Sequence, residues 1–136
     1  MRTSVTQEHD FGCGAACLAF VVGKNYKEVV RHLGKTKAAT SGYYCNELVA
    51  GLNKFGFPYF YLYLKSWLRR KIYQDGVIVF IKKSKKYPAG HYLVRYKGLW
   101  MDPWINFVEN KNIKEAESDF RKKLPGSPIY GLFPKI

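Results

Sequence analysis

The segment Gln7-Glu8-His9-Asp10-Phe11-Gly12-Cys13-Gly14-Ala15-Ala16-Cys17-Leu18 changes character at a cysteine, polar and glycine-flanked before it and apolar after it. From there the chain carries Ala15, Ala16, Leu18, Ala19, Phe20, Val21 and Val22. A run that is apolar on every face predicts a helix buried in the middle of the fold. Cys13 falls in its first turn, where unpaired backbone N–H groups and the positive end of the helix dipole favour thiolate over thiol. Cysteine is also among the most often buried residue types. Taken alone, Cys13 reads first as a small core residue, and becomes a nucleophile only if the chain supplies its partners.

Beyond this helix, Asn25 is a natural N-cap for a short helix over Tyr26 to Leu33, closed by Gly34. Lys35 to Gly42 reads as a loop, and Cys45 to Phe55 as a third helix with Leu48, Val49 and Leu52 inward. Pro58 opens an aromatic strand to Leu64, and Ser66 to Tyr73 forms a basic helical turn. Val77-Ile78-Val79-Phe80-Ile81 has the unbroken apolar character of a strand covered on both faces. Gly90 leads into His91-Tyr92-Leu93-Val94-Arg95-Tyr96, a Lys97-Gly98 turn and Leu99-Trp100-Met101-Asp102-Pro103, a hairpin signal. Trp104 to Lys111 is irregular, Asn112 can cap an amphipathic helix to Lys123 that Pro125-Gly126 stops, and Ser127 to Phe133 is a last strand. Helices first, then strands, predict an α+β fold with an antiparallel sheet packed on the Cys13 helix.

With 136 residues the expectation is a single domain over 1–136, without room for a regulatory or targeting module. No apolar run approaches the roughly 18 residues that span a bilayer, and the first residues lack a signal-peptide core, so a soluble, cytoplasmic protein is expected. Three cysteines, Cys13, Cys17 and Cys45, are an odd number for a disulfide framework, and no spacing suits zinc; no metal or cofactor is expected. The net charge of +13 attracts acidic partners: a nucleic acid, an anionic membrane face or an acidic polypeptide. Phe57, Phe60 and the alternating Tyr59, Tyr61 and Tyr63 could stack bases, but no RNA-binding signature accompanies them, and packing is the favoured reading.

A cysteine nucleophile needs a base, and the base an orienting group. His9 is too close to the cysteine in sequence to place, and His32 lies in a surface helix. His91 opens a strand. If Lys97-Gly98 is a two-residue turn, Tyr96 lies opposite Leu99 and Leu93 opposite Asp102, which makes His91 and Asp102 diagonal neighbours on one face, about 7–8 Å apart at Cα. One residue more or fewer in the turn would put Asp102 on the other face. A developing oxyanion needs fixed donors. The Cys13 N–H is one, and the neutral amide of Gln7 can be a second.

Gln7, the run Asp10-x-x-Cys13-Gly14-x-Ala16-Cys17-Leu18, Gly90-His91-Tyr92-Leu93-Val94 and Asp102-Pro103 together resemble the double-glycine leader peptidases, the bacteriocin-processing branch of the papain-like cysteine peptidases. The resemblance covers nearly the whole chain, including the late helix closed by Gly126. It implies a papain-like fold in which Cys13 is the nucleophile, His91 the base and then acid, Asp102 its orienting partner, Gln7 an oxyanion donor and Cys17 a core residue. It implies cleavage after Gly-Gly in a leader peptide, often acidic, which would suit the positive charge. Gly12 departs from the acidic residue many relatives carry before the cysteine. Two rivals share the sequence features: a toxin or effector using the same cysteine on RNA or a host protein, and a non-catalytic basic module that holds an acidic partner.

Overall fold

The computed structural model describes residues 2–108 and 111–135. Four helices come first: α1 (Cys13–Val22), α2 (Tyr26–Leu33), α3 (Lys35–Thr40) and α4 (Cys45–Lys54). The strands β1 (Tyr59–Tyr63), β2 (Ile78–Ile81), β3 (His91–Tyr96), β4 (Leu99–Asp102), β5 (Asp119–Arg121) and β6 (Pro128–Pro134) follow, with 3-10 turns at Ser66–Tyr73 and Ile113–Glu115. The strands form one sheet in the order β1-β6-β2-β3-β4-β5, every neighbouring pair antiparallel. The architecture is α+β, with the N-terminal helices on one face of the sheet.

Every residue of α1 after Cys13 is buried, as its uniformly apolar sequence requires. Burying Leu18 completely contributes about 1.5–3 kcal/mol by itself. The helix stops at Gly23, whose N–H returns to Ala19 O (2.9 Å), and Arg2 donates to the carbonyls of Phe20 and Val21 at its end. A cation on C-terminal carbonyls complements the helix dipole. Asn25 caps α2 as expected, its side chain accepting from Glu28 N–H at 2.8 Å.

β2 lies inside the sheet with core on both sides. Ile78 faces the α1 cluster, while Val77, Val79 and Ile81 pack with Leu68, Ile72 and Leu93 on the far face. The β3–β4 hairpin turns on Lys97 and Gly98, both with positive φ (46° and 80°), the geometry of a two-residue turn whose twist suits the strands. Its register is the expected one, Tyr96 opposite Leu99 and Val94 opposite Met101.

Two segments differ from expectation. Lys35 to Gly42 is not a loop throughout: α3 occupies Lys35–Thr40, fixed by fully buried Ala38, whose carbonyl accepts from Phe11 N–H at 2.9 Å. Cys45–Lys54 is therefore the fourth helix. The helix expected from Asn112 to Lys123 is a single 3-10 turn followed by β5. Asn112 does cap, accepting from Lys114 N–H at 2.9 Å. Past that turn Phe120 wedges against Phe20 and Tyr96 opposite Met101, and covering the open edge of β4 outweighs helix propensity. In the stretch expected to be irregular, residues 109 and 110 lie outside those described. The exposed aromatics of β1 pack on one another and on β6: Phe60 stacks on Phe133, and Tyr61 and Tyr63 meet Tyr130 edge-on.

Candidate active site

α1 and β3 begin side by side, so the first residue of each, Cys13 and His91, lines one cleft of about 910 Å3. The α4 start, with Tyr44, Cys45 and Asn46, forms one wall; the Tyr87–Gly90 segment forms the other, and Gln7 and Trp104 also line it. Tyr92 ties the sheet to the first wall through its hydroxyl, which donates to Tyr43 O at 2.8 Å.

Cys13 is half-buried and bonded to no other cysteine. Gly12 precedes α1 without a side chain to cap it, so no capping side chain covers the helix start where Cys13 opens on the cleft. The departure at Gly12 has a packing reason. A Cβ there would lie 2.0 Å from the hydroxyl of Tyr26. That hydroxyl is hydrogen-bonded to His9 Nδ1 at 2.9 Å, and the two rings stack. His9 is thereby tied to α2 and away from the thiol, and His32 packs edge-on against Phe55.

His91 and Asp102 meet as the hairpin register requires. His91 Nε2 lies 2.6 Å from Asp102 Oδ1, leaving Nδ1 as the ring nitrogen open to another partner. Both side chains are removed from water, at 4% and 0% exposure. Burial pulls the imidazole toward its neutral form, but the hydrogen bond with Asp102 and the smaller influence of the neighbouring Cys13 outweigh it. Together they raise His91 from 6.5 to about 9. Burial likewise opposes the Asp102 charge, and His91, Trp104 N–H and Arg121 reverse this, holding the carboxyl below its ordinary value.

Gly90 sets the ring's approach: it turns at φ +77°, and a Cβ would come within 2.2 Å of Phe80 Cζ. Tyr87 then stacks on His91 with ring centroids 4.7 Å apart and planes 8° from parallel, and Phe107 stacks on Tyr87. These rings seal the His91–Asp102 pair from solvent.

Gln7 is buried at 2% exposure. Its N–H donates to Pro103 O (3.3 Å), which fixes the segment before Cys13 against the residue after Asp102. Its Nε2 donates to His9 O at 3.0 Å and to Asp10 O at 3.3 Å. Gln7 Oε1 and Trp104 Nε1 are buried without a partner among the described residues. The structure thus brings Cys13, His91, Asp102 and Gln7 into one region, and Cys17, fully buried one turn along α1, into the core. Burial pushes the Cys17 thiol well above its ordinary range.

Three contributors escaped sequence reasoning. Trp104 N–H donates to Asp102 Oδ1 at 3.0 Å, an Asx-type turn that the Asp102-Pro103-Trp104 sequence could have suggested. Arg121 Nη1 lies 3.1 Å from Asp102 Oδ2. Its strand was expected to be helix, so no signal pointed to it. Cys45 puts a second thiol in the cleft, 3.6 Å from the Tyr92 hydroxyl.

Among the described residues no helix is long and apolar enough to cross a membrane. No family model matches the chain, and no curated protein matches it by sequence. Solved structures do match it. The peptidase domain of Streptococcus ComA, a bifunctional ABC transporter of a quorum-sensing pathway, superposes with a TM-score of 0.59 at 20% identity, over 96% of this chain and 95% of that one. A double-glycine motif protease from an AMS/PCAT transporter, solved in complex with its leader peptide, gives 0.58 at 16% identity, over 98% of this chain and 90% of that one. The chain therefore has the α+β, papain-like fold of the double-glycine peptidase domains.

Proposed function

We propose that this protein is a cysteine peptidase that cleaves a leader-type peptide after a Gly-Gly pair, with Cys13 as nucleophile, His91 as base and acid, Asp102 as orienting group and Gln7 as oxyanion donor. One observation carries the reading: the imidazole held by Asp102 on Nε2 lines the same cleft as the Cys13 thiol, in a fold shared with peptidase domains. A base with one nitrogen anchored and the other free to take a thiol proton is the arrangement that activates a sulfur nucleophile.

In the proposed cycle the thiol proton passes to His91 and the sulfur attacks the peptide carbonyl. Charge then builds on the carbonyl oxygen, where the Cys13 N–H and Gln7 Nε2 donate. Of the two hydrogen bonds donated by Gln7 Nε2 the longer, 3.3 Å to Asp10 O, is the one an oxyanion would displace. His91 next protonates the leaving amine, the C–N bond breaks, and a thioester remains on Cys13. Water, deprotonated by His91, attacks the thioester, and its collapse frees the acid and restores the thiol.

The Gly-Gly preference follows the fold's likeness to a double-glycine protease solved with a leader peptide. The net charge of +13, with Lys83 and Lys111 at the cleft, supports an acidic peptide as the substrate. The test is cleavage of acidic peptides carrying an internal Gly-Gly by the wild type and by Cys13→Ala. Cleavage after the second glycine by the wild type alone is expected; equal turnover by Cys13→Ala would overturn the assignment.

A further inference from the structure

We propose that Arg121 is a positioning residue for the proton transfers, holding Asp102 ionised and aimed at His91 while the imidazole gains and gives up its proton. The inference rests on the peptidase reading for its catalytic consequence, but not for its chemistry.

Asp102 is completely buried and uses both oxygens. Oδ1 receives His91 Nε2 (2.6 Å) and Trp104 N–H (3.0 Å); Oδ2 receives Arg121 Nη1 (3.1 Å). During each turnover His91 passes its proton to the leaving group and becomes neutral. A buried carboxylate whose only cation is that imidazolium would lose its counter-charge at that moment, which makes the proton hard to release. Arg121 stays charged throughout and supplies a standing partner on the other oxygen. The guanidinium is itself fixed: its Nε donates to Lys123 O at 3.0 Å, and β5 lays Arg121 opposite Trp100, diagonal to Asp102. A cation sharing the carboxylate also lowers the hold of Asp102 on the imidazolium, so Arg121 sets how readily His91 acts as an acid.

The other titratable groups around this pair come from every element packed against it. Cys13 and Cys17 of α1 face it, with Tyr87 before β3 and Asp119 opposite Asp102 on β5. Burial pushes Tyr87 up to about 12, clear of the His91 titration, and pushes the Cys17 thiol well above its ordinary range. Asp119 turns its carboxylate to the N–H of Phe120 at 2.8 Å.

Two readouts separate this proposal from the peptidase reading. The first is the His91 titration by NMR in a Cys13→Ala background, which needs no substrate. Arg121→Gln, or Arg121→Met if the Gln variant does not fold, should move the His91 midpoint upward by about one pH unit, and Arg121→Lys should leave it within a few tenths. The second is the pH profile of peptide cleavage with Cys13 intact. There Arg121→Gln should lower kcat at least tenfold near neutrality with little change in KM, and carry the alkaline limb upward by the same amount. An unmoved titration and limb in the neutral variants, even with lower stability, would reduce Arg121 to a structural strut and overturn the proposal. An absence of peptide cleavage in the wild type beside a shifted His91 titration would instead count against the peptidase reading and leave the Arg121 assignment standing.

Discussion

Replacing Asp102 with Asn removes a buried charge at almost constant volume, and the stability it costs should depend on pH in a specific way. The His91 pKa is raised from 6.5 to about 9 in the folded chain, net of a burial effect that lowers it. The folded state therefore holds the imidazole proton more tightly than the unfolded chain does. That contribution is complete below pH 6.5 and is lost as pH climbs through about 9. Asp102 is held below its ordinary 3.8, so its own contribution is present above that value and is lost as acid protonates the folded carboxyl. At ~1.4 kcal/mol per pH unit, the His91 displacement alone corresponds to about 3 kcal/mol. Asp102→Asn withdraws the larger of the two partners that raise His91, so much of that displacement is lost. The stability gap between wild type and variant should be widest between about pH 4 and 6.5, and should narrow by up to about 3 kcal/mol toward pH 9. Urea unfolding of both reduced proteins, followed by tryptophan fluorescence in half-unit steps from pH 5 to 9.5, measures it. Tyrosine ionisation at the top of that range is common to both chains and cancels. A gap that stays constant from pH 6 to 9 would refute the buried, charge-coupled pair.

Gly12→Ala should destabilise the fold by about 1–3 kcal/mol through overpacking, because the new methyl meets the Tyr26 hydroxyl at 2.0 Å; Tyr26→Phe in the same chain should recover more than half of the loss in thermal unfolding. Gln7→Ala should lower kcat for peptide cleavage about 100-fold with KM nearly unchanged, and a loss under threefold would remove Gln7 from the oxyanion site. Cys45→Ser should retain cleavage while removing one of two alkylation sites in the native protein, since Cys13 and Cys45 line the cleft and Cys17 is fully buried; mass mapping after brief iodoacetamide treatment reads both sites.

The core of the fold was legible because it rests on local pattern. The uniform apolar run after Cys13 could only be a buried helix, Val77 to Ile81 a doubly covered strand, and the Lys97-Gly98 turn set a register that carried His91 to Asp102 across the hairpin. Where sequence reasoning failed, a distant partner had decided the structure. Residues 119–121 have the polar, charged look of a helix surface, yet the open edge of β4 and a slot between Phe20 and Tyr96 draw them into a strand. That error concealed Arg121 as well, because an arginine on a presumed surface helix gives no hint of a buried carboxylate behind it. The stack of Tyr87 on His91 was equally hidden, since nothing local to the Lys82–Ala89 loop says which ring it covers.

The alkylation rate of Cys13 at pH 6.5 tests the account most directly, because it asks whether His91 activates the thiol without requiring the right peptide. In a Cys45→Ser background Cys13 is the accessible thiol of the cleft, and an unassisted thiol is only about 1% thiolate at that pH. The wild-type site should react with iodoacetamide at least tenfold faster than the same chain carrying His91→Ala. Equal rates in the two chains would contradict it.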